Sequence, residues 1–224
     1  MDPTEIGEAA VGSAFGRLIS FVELGGPAMW AIALLSVLTI ALILWKIMRL
    51  IGRGVWSGGR KTAAALDLWA DGKAEAAIAH LTGRKSSRAQ LALAAMAVAL
   101  NPQLDREAAE AETTRVARAL LEQARSGLRG LELASTIGPL LGLLGTVTGM
   151  IAAFAALQKA GAQADPATLA DGIWEALLTT AAGMAVAIPA QVALTWFEAS
   201  VDRLRHDMED AATRILHGAR KAAG

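Results

Sequence analysis

Cysteine and tyrosine are absent from the 224 residues, and only 19% of the residues are charged. Without cysteine the chain can form neither disulfides nor zinc sites built on thiolates. Aromatic residues make up 4% of the chain, whereas 54% of the residues are hydrophobic and the mean hydropathy is +0.42. The formal net charge is zero, which gives no reason to expect a nucleic-acid partner. This balance is more apolar than that of a soluble domain and indicates a membrane protein.

Charged residues are missing from three long stretches, 24–45, 133–157 and 176–197. A helix needs about 20 apolar residues to cross the hydrocarbon core of a bilayer, and each stretch is long enough. A membrane β-barrel would instead show segments of about ten residues that alternate in polarity, flanked by aromatic girdles. The sequence therefore predicts an all-α membrane protein with three transmembrane helices, at 24–51, 133–157 and 173–197.

Basic residues are spread unequally over the segments between these spans. Fourteen Lys and Arg residues lie in 46–132 and five in 198–224, against one each in 1–23 and 158–172. By the positive-inside rule the two basic segments are cytoplasmic. We therefore expect a periplasmic N-terminal segment (1–23), a cytoplasmic helical domain (52–132), a periplasmic loop (158–172) and a cytoplasmic C-terminal helix (198–224).

The cytoplasmic segments have the periodicity of helices. Short alanine-rich helices are predicted at 61–70, 73–81 and 86–100, and the second span is predicted to continue inward as one helix over 104–157. The tail carries an apolar stripe at helical spacing. The residues of this stripe are Val201, Leu204, Met208, Ala211, Ile215 and Ala219. Such long helices with narrow apolar seams predict an oligomeric bundle.

The N-terminal segment and the long loop add two further expectations. Residues 4–22 have the spacing of an amphipathic helix that follows the helix-start signal Asp2-Pro3. A frayed tail is an equally good interpretation of the same residues. The long loop carries no phosphate loop, dinucleotide fingerprint or Ser/His/Asp arrangement, so the sequence does not predict an enzyme.

Four glycines of the second span recur at steps of four, three and four residues. They are Gly138, Gly142, Gly145 and Gly149. Residues at this spacing share one face of a helix, and glycines there let another backbone approach closely. We therefore expect this face to be a helix-packing surface.

Polar residues interrupt the apolar runs of the second and third spans, and we interpret them as a candidate ion pathway. They are Thr146, Thr148, Glu175, Thr179 and Thr180. Intramembrane acids are costly against lipid and are functional candidates by default. Two plainer interpretations stay open, because a threonine hydroxyl can simply bond a carbonyl one turn back and Glu175 can be a hydrated acid at a helix start.

Histidine offers no alternative site. His80, His206 and His217 have no metal-ligand spacing with one another, and we expect neither a metal nor a cofactor.

Two strings resemble the ExbB/TolQ family of the MotA/TolQ/ExbB proton channel superfamily over about residues 133–200. They are Gly142-Leu-Leu-Gly-Thr-Val-Thr-Gly149 and Glu175-Ala-Leu-Leu-Thr-Thr-Ala-Ala-Gly-Met-Ala-Val-Ala-Ile-Pro-Ala190. In this resemblance Thr146 and Thr180 match the family's pore threonines, and Glu175 matches its glutamate. The chain differs at Thr148, where many members carry Trp, and at Thr179, where Ala is usual.

The resemblance implies a homopentamer in the inner membrane of a Gram-negative bacterium. The pentamer would enclose the single transmembrane helices of a two-copy ExbD/TolR-like partner, whose Asp takes up and releases protons. Proton flow would then drive a TonB- or TolA-like protein at the outer membrane. The chain would be the scaffold subunit of that motor, in contact with the lipid bilayer and with no nucleic acid.

Three alternative functions compete with this one, and two of them, a passive scaffold and a substrate transporter, belong to other functional classes. A flagellar or gliding stator-like subunit shares the superfamily, but such stators have four spans. A passive membrane scaffold would use the same threonines for packing alone. A substrate transporter would show internal repeats and broken helices, and the sequence has neither.

Overall fold

The computed structural model describes residues 16, 22–23, 25–52, 54, 59–161 and 165–222, with side chains as far as residue 218. The regular structure in these ranges is helical. The helices are α1 (Gly26–Gly52), α2 (Gly59–Ala70), α3 (Ala74–Leu81), α4 (Ser87–Ala99), α5 (Arg106–Arg125), α6 (Leu128–Ala160) and α7 (Pro166–Ala222). The predicted all-α class is therefore confirmed. The amphipathic helix predicted at 4–22 lies almost wholly outside the described residues.

Three helical stretches are long and apolar enough to cross a membrane. They are Gly26–Gly52, which is α1, Arg106–Ala160, which includes α5 and α6, and Pro166–Gly218, which is most of α7. The prediction of three membrane helices is thus confirmed. Helix α6 ends at Ala160 and helix α7 begins at Pro166, so regular structure reaches well into the predicted loop 158–172. Pro139 and Pro189 lie inside α6 and α7, and both helices continue through them.

The chain divides into two compact units. The first unit comprises the described residues up to Ile43 together with Arg129–Ala193, and the second comprises Leu44–Leu128 together with the described residues from Leu194 onward. In the first unit the buried side chains are mostly small, whereas large apolar side chains such as Leu34, Ile151 and Ile188 are exposed. This distribution fits helices whose outer faces meet lipid.

The closest packing of the first unit lies between the four glycines of α6 and helix α7. A Cβ atom added at Gly142 would lie 2.9 Å from the Thr180 Cα atom, and one at Gly138 would lie 2.9 Å from the Gly183 carbonyl oxygen. A Cβ atom added at Gly149 would lie 3.1 Å from the Ala176 Cβ atom. At Gly138 and Gly142, backbone atoms stand where a side chain would be, so only glycine allows the two helices to approach this closely there.

The second unit has an apolar core formed by α2, α3, α4 and the C-terminal part of α7. Its buried residues are Ala65, Leu66, Trp69, Ala77, Leu81, Ala89, Ala92, Ala95, Met96, Ala211 and Ile215. The Trp69 indole N–H donates to the Ile215 carbonyl (3.1 Å). The half-exposed Asp207 carboxylate accepts from the Arg88 guanidinium (2.7 Å), whose side chain is largely buried. The tail helix is therefore fixed to the short helices by both apolar and polar contacts.

The apolar stripe predicted on the tail is buried as expected. Val201, Leu204, Met208, Ala211 and Ile215 are each at most 2% exposed. The side chain of Ala219, the last residue of the predicted stripe, lies outside the described part of the chain.

The single helix predicted over 104–157 is wrong, because it is interrupted between α5 and α6. Gly127 has a φ of +84°, a left-handed conformation that favours glycine. A Cβ atom at this position would also lie 2.7 Å from the Cζ3 atom of the Trp45 ring. The apolar pattern continues across Ser126 and Gly127, and for that reason the periodicity alone did not reveal the break.

Lys46 of α1 supplies donors to carbonyl groups at this break. Its ammonium donates to the Ala124 carbonyl (2.5 Å) and to the Ser126 carbonyl (2.6 Å), and the residue is 1% exposed. The last carbonyls of a helix have no partner within it, and a cation is favoured there. Lys46 therefore joins α1 to the end of α5, whereas the sequence suggested only a charge that sets topology.

We expect Lys46→Met to lower stability by about 1–3 kcal/mol, because it keeps the aliphatic stem and leaves buried carbonyls without a donor. Arg49→Met is the matched control. The Arg49 guanidinium lies over the exposed Trp45 ring at 4.8 Å, a contact worth about 0.5–1 kcal/mol at exposed sites. Thermal unfolding of the purified variants in detergent would compare them. Equal losses of stability in the two variants would contradict the role of Lys46 in joining α1 to the end of α5.

We expect Gly142→Ala to destabilise the first unit by about 1–3 kcal/mol, the usual cost of overpacking, because its Cβ atom would meet the Thr180 backbone. Gly52→Ala is the control, since a Cβ atom there meets nothing within 4 Å. The unfolding midpoint followed by tryptophan fluorescence would measure both. Unchanged stability of Gly142→Ala would show that α6 and α7 are not held at this distance.

Candidate functional site

The two threonines of α7 form hydrogen bonds to backbone carbonyls. The Thr180 hydroxyl donates to the Gly142 carbonyl of α6 (3.0 Å). The Thr179 hydroxyl donates to the Ala176 carbonyl (2.7 Å) and lies 3.3 Å from the Gly142 oxygen. The Gly142 carbonyl can accept these contacts because the glycine face brings the two backbones together. It is thus the point where polar groups of α6 and α7 meet.

The two threonines of α6 bond to carbonyls of their own helix. The Thr146 hydroxyl donates to the Leu143 carbonyl (2.7 Å). The Thr148 hydroxyl lies 2.9 Å from the Leu144 carbonyl and 3.1 Å from the Gly145 carbonyl. These bonds have the geometry of the plainer interpretation, in which a threonine satisfies itself against the preceding turn.

The five candidate residues do not share one face. Successive residues of a helix are rotated by roughly 100°, and α6 and α7 run in opposite directions, as Gly138 meets Gly183 while Gly149 meets Ala176. This rotation places Thr146 and Thr180 on one flank of the α6–α7 pair, which we call the threonine flank. Both residues are half-buried there and about one helical turn apart in depth.

Thr148, Thr179 and Glu175 lie on the opposite flank, where the chain of the first span packs. Thr179 is 2% exposed, and its side chain meets Gly145 and Gly25. Thr148 and Glu175 are exposed. The structure therefore separates the sequence candidates into a half-buried pair on the threonine flank, the buried packing residue Thr179, and the two exposed residues Thr148 and Glu175.

Glu175 lies immediately before the third charge-free stretch, next to the exposed Trp174. It lies five positions before Thr180 along α7. Its exposed position agrees with either open interpretation, a pathway acid or a hydrated acid. The apolar surface beside Thr146, which includes Val147, Met150 and Phe154, belongs to α6 alone.

Thr39 is a buried polar residue that the sequence reasoning missed. It lies in the middle of α1, is 3% exposed, and its hydroxyl donates to the Leu35 carbonyl (2.7 Å). The sequence could have indicated Thr39 as a candidate, because it is a polar residue within the charge-free stretch 24–45. Because Thr39 is buried and bonded within its own helix, it serves below as a control for the half-buried Thr146 and Thr180.

The part of the chain that the structure describes contains no group of three or more His, Asp or Glu residues that could hold a metal ion. The threonine flank offers hydroxyl and carbonyl oxygens in apolar surroundings. Such groups can hydrogen-bond a proton-carrying group or water, but a threonine does not itself ionise at physiological pH.

Curated relatives match parts of the chain. A biopolymer transport protein exbB1 of Vibrio cholerae is 42% identical over 90 residues, which are 38% of this chain and 40% of that protein. The biopolymer transport protein ExbB of Pseudomonas putida is 29% identical over 196 residues, 84% of this chain and 57% of that protein. A Tol-Pal system protein TolQ of Haemophilus influenzae is 41% identical over 86 residues, 37% of each chain. The matches thus span well under two thirds of these relatives.

A family model described as the MotA/TolQ/ExbB proton channel family matches residues 83–210, more than half of the chain. The matched range includes the glycine face and all five candidate pathway residues. The chain is therefore a multi-pass membrane protein that belongs to the MotA/TolQ/ExbB proton channel family.

Proposed function

We propose that this chain is the scaffold subunit of a proton-driven motor of the ExbB–ExbD or TolQ–TolR type in the bacterial inner membrane. Several copies, five by the resemblance, surround the single spans of an ExbD/TolR-like partner. Protons that cross the membrane at this contact drive the partner, and the motion passes to a TonB- or TolA-like protein. By the resemblance, the purpose is transport at the outer membrane or envelope maintenance, and the matched relatives are named as a biopolymer transport protein and a Tol-Pal system protein.

The observation that carries the proposal is the threonine flank. Thr146 and Thr180 place two hydroxyls on one accessible side of the closest helix pair, within stretches that have no charged residue. Each hydroxyl keeps lone pairs that find no donor in lipid and that can accept from water or from a polar partner helix. Of the five sequence candidates, we therefore give these two the main role and assign Thr179 to packing.

The proposed orientation rests on the distribution of basic residues. The second unit contains most of the Lys and Arg residues, which favours a cytoplasmic location for it. The N-terminal segment and the connection near Lys159 then face the periplasm, and Glu175 stands near the outer end of the third span. In this orientation the acid lies where protons would enter.

Two other functions make different predictions. A motility stator of the same superfamily would have four spans, and the described part of this chain has three candidate spans. A passive scaffold is supported by the bonds that each pathway threonine already makes to a carbonyl of its own chain. Removal of the hydroxyls from the threonine flank separates the passive scaffold from the proton-driven motor.

We expect Thr146→Val and Thr180→Val each to slow proton flux roughly two- to tenfold. Valine keeps the shape and removes one hydrogen bond, worth about 0.5–1.5 kcal/mol between neutral groups, and 1.4 kcal/mol is a factor of ten in rate. Flux would be measured with a pH-sensitive dye in proteoliposomes that contain the chain and its single-span partner. Thr39→Val, which removes a buried hydroxyl from α1, should leave the flux unchanged.

Matched expression, copurification with the partner and thermal stability are the controls for assembly. Wild-type flux in both Thr146→Val and Thr180→Val, with intact complexes, would contradict the proposal and favour the passive scaffold. A loss in Thr39→Val of the same size would show that the effect comes from packing and not from the threonine flank.

A further inference from the structure

We infer that Thr146 and Thr180 act as hydrogen-bond acceptors, so that the threonine flank selects a neutral carboxylic acid over a carboxylate. This inference rests on the proposed function and specifies which protonation state of the proton-carrying group the site binds. It assigns to the two threonines a positioning and selecting role, since neither side chain itself carries the proton.

The hydroxyl protons of Thr146 and Thr180 are both already used in hydrogen bonds within the chain. A threonine hydroxyl has one proton to donate and two lone pairs to accept with. The proton of Thr146 is directed to the Leu143 carbonyl at 2.7 Å, and that of Thr180 to the Gly142 carbonyl at 3.0 Å. A group that reaches the flank therefore meets oxygen lone pairs. A protonated carboxyl can donate to them without any rearrangement.

A carboxylate has no proton to donate and could bind only if the hydroxyls turned outward. That rotation would break the bonds that the hydroxyls already donate to the Leu143 and Gly142 carbonyls. For Thr180 the bond also joins α6 to α7, so that its loss would affect the contact between the helices. The existing bonds thus favour the acid over its anion.

The lack of nearby positive charge also disfavours a carboxylate at the threonine flank, independently of the hydroxyl geometry. The stretches 24–45, 133–157 and 176–197 contain no Lys, Arg or His that could balance a carboxylate at this depth. The nearest ionisable group along either helix of the pair is Glu175, itself an acid, and α1 and α6 offer none within their charge-free stretches. Without a cation to balance it, a carboxylate at this depth is disfavoured relative to the neutral acid.

The shift in the protonation midpoint of a nearby carboxyl therefore has a definite sign. Acceptors stabilise the protonated form, so they raise the pH at which half of a nearby carboxyl is ionised. Donors would stabilise the anion and lower that pH. Removing a hydroxyl therefore shifts the midpoint of protonation downward if it accepts and upward if it donates, which makes the direction of the shift the decisive observation.

The test uses dicyclohexylcarbodiimide, an apolar reagent that reacts with protonated carboxyl groups. The complex of the full chain with its single-span partner is labelled in membranes over a range of pH, and mass spectrometry of each subunit measures the modified fraction. We expect the labelling midpoint of the partner's carboxyl to fall by about 0.3–1 pH unit in Thr146→Val and in Thr180→Val, the shift that corresponds to one hydrogen bond between neutral groups. Thr180→Ser, which keeps the hydroxyl, should retain the wild-type midpoint, and so should Thr39→Val.

A midpoint that rises or does not move in the two valine variants would overturn the inference. If proton flux falls in these variants while the midpoint rises, the proposed function stands and the acceptor role fails. If the wild-type complex carries no proton flux, the proposed function itself fails, whatever the labelling shows. Mass spectrometry separates the partner's carboxyl from Glu175, since the two lie on different chains.

Discussion

The close contact between the glycine face of α6 and helix α7 is the constraint on which the candidate site depends. Lipid gives no hydrophobic gain for bringing two apolar helices together, so association relies on packing and hydrogen bonds. Gly142 provides both, because it admits the Thr180 backbone at van der Waals distance and presents its carbonyl to the Thr180 hydroxyl. The contact therefore fixes the position of Thr180 and also the direction of its hydroxyl proton. A side chain at residue 142 would disturb both together.

The same requirement, that buried polar groups have partners, explains the position of Lys46 at the break between α5 and α6 in the second unit. Gly127 ends the regular helix geometry, and Lys46 brings its ammonium to two carbonyls beside it. A buried cation without partners would be strongly destabilising, whereas here it meets the end of a helix, where negative partial charge accumulates. In both units a backbone carbonyl is satisfied by a side chain distant in sequence, and each such bond ties two helices together.

The general architecture could be predicted because it depends on composition and period. Three charge-free stretches predicted three apolar helices, and the spacing of Val201, Leu204 and Met208 predicted a buried stripe on the tail. The break at Gly127 was missed because the apolar period continues across it. The partners of Lys46 and Thr180 could not be read from spacing, since they lie 78 to 80 and 38 residues away. For the same reason, a list of polar residues could not show that Thr179 packs inside while Thr146 and Thr180 share an accessible flank.

If Thr146 and Thr180 line the proton path, water reaches both residues in the assembled protein, whereas Thr39 is enclosed. Because the chain has no native cysteine, single substitutions to Cys at these three positions give an unambiguous readout. A small water-soluble methanethiosulfonate reagent reacts with thiolate, which forms only where water reaches the sulfur. In the complex with the single-span partner, Thr146→Cys and Thr180→Cys should react at least about tenfold faster than Thr39→Cys, a ratio that corresponds to about 1.4 kcal/mol. Equal and negligible reaction at all three positions, in complexes of wild-type stability, would contradict the account.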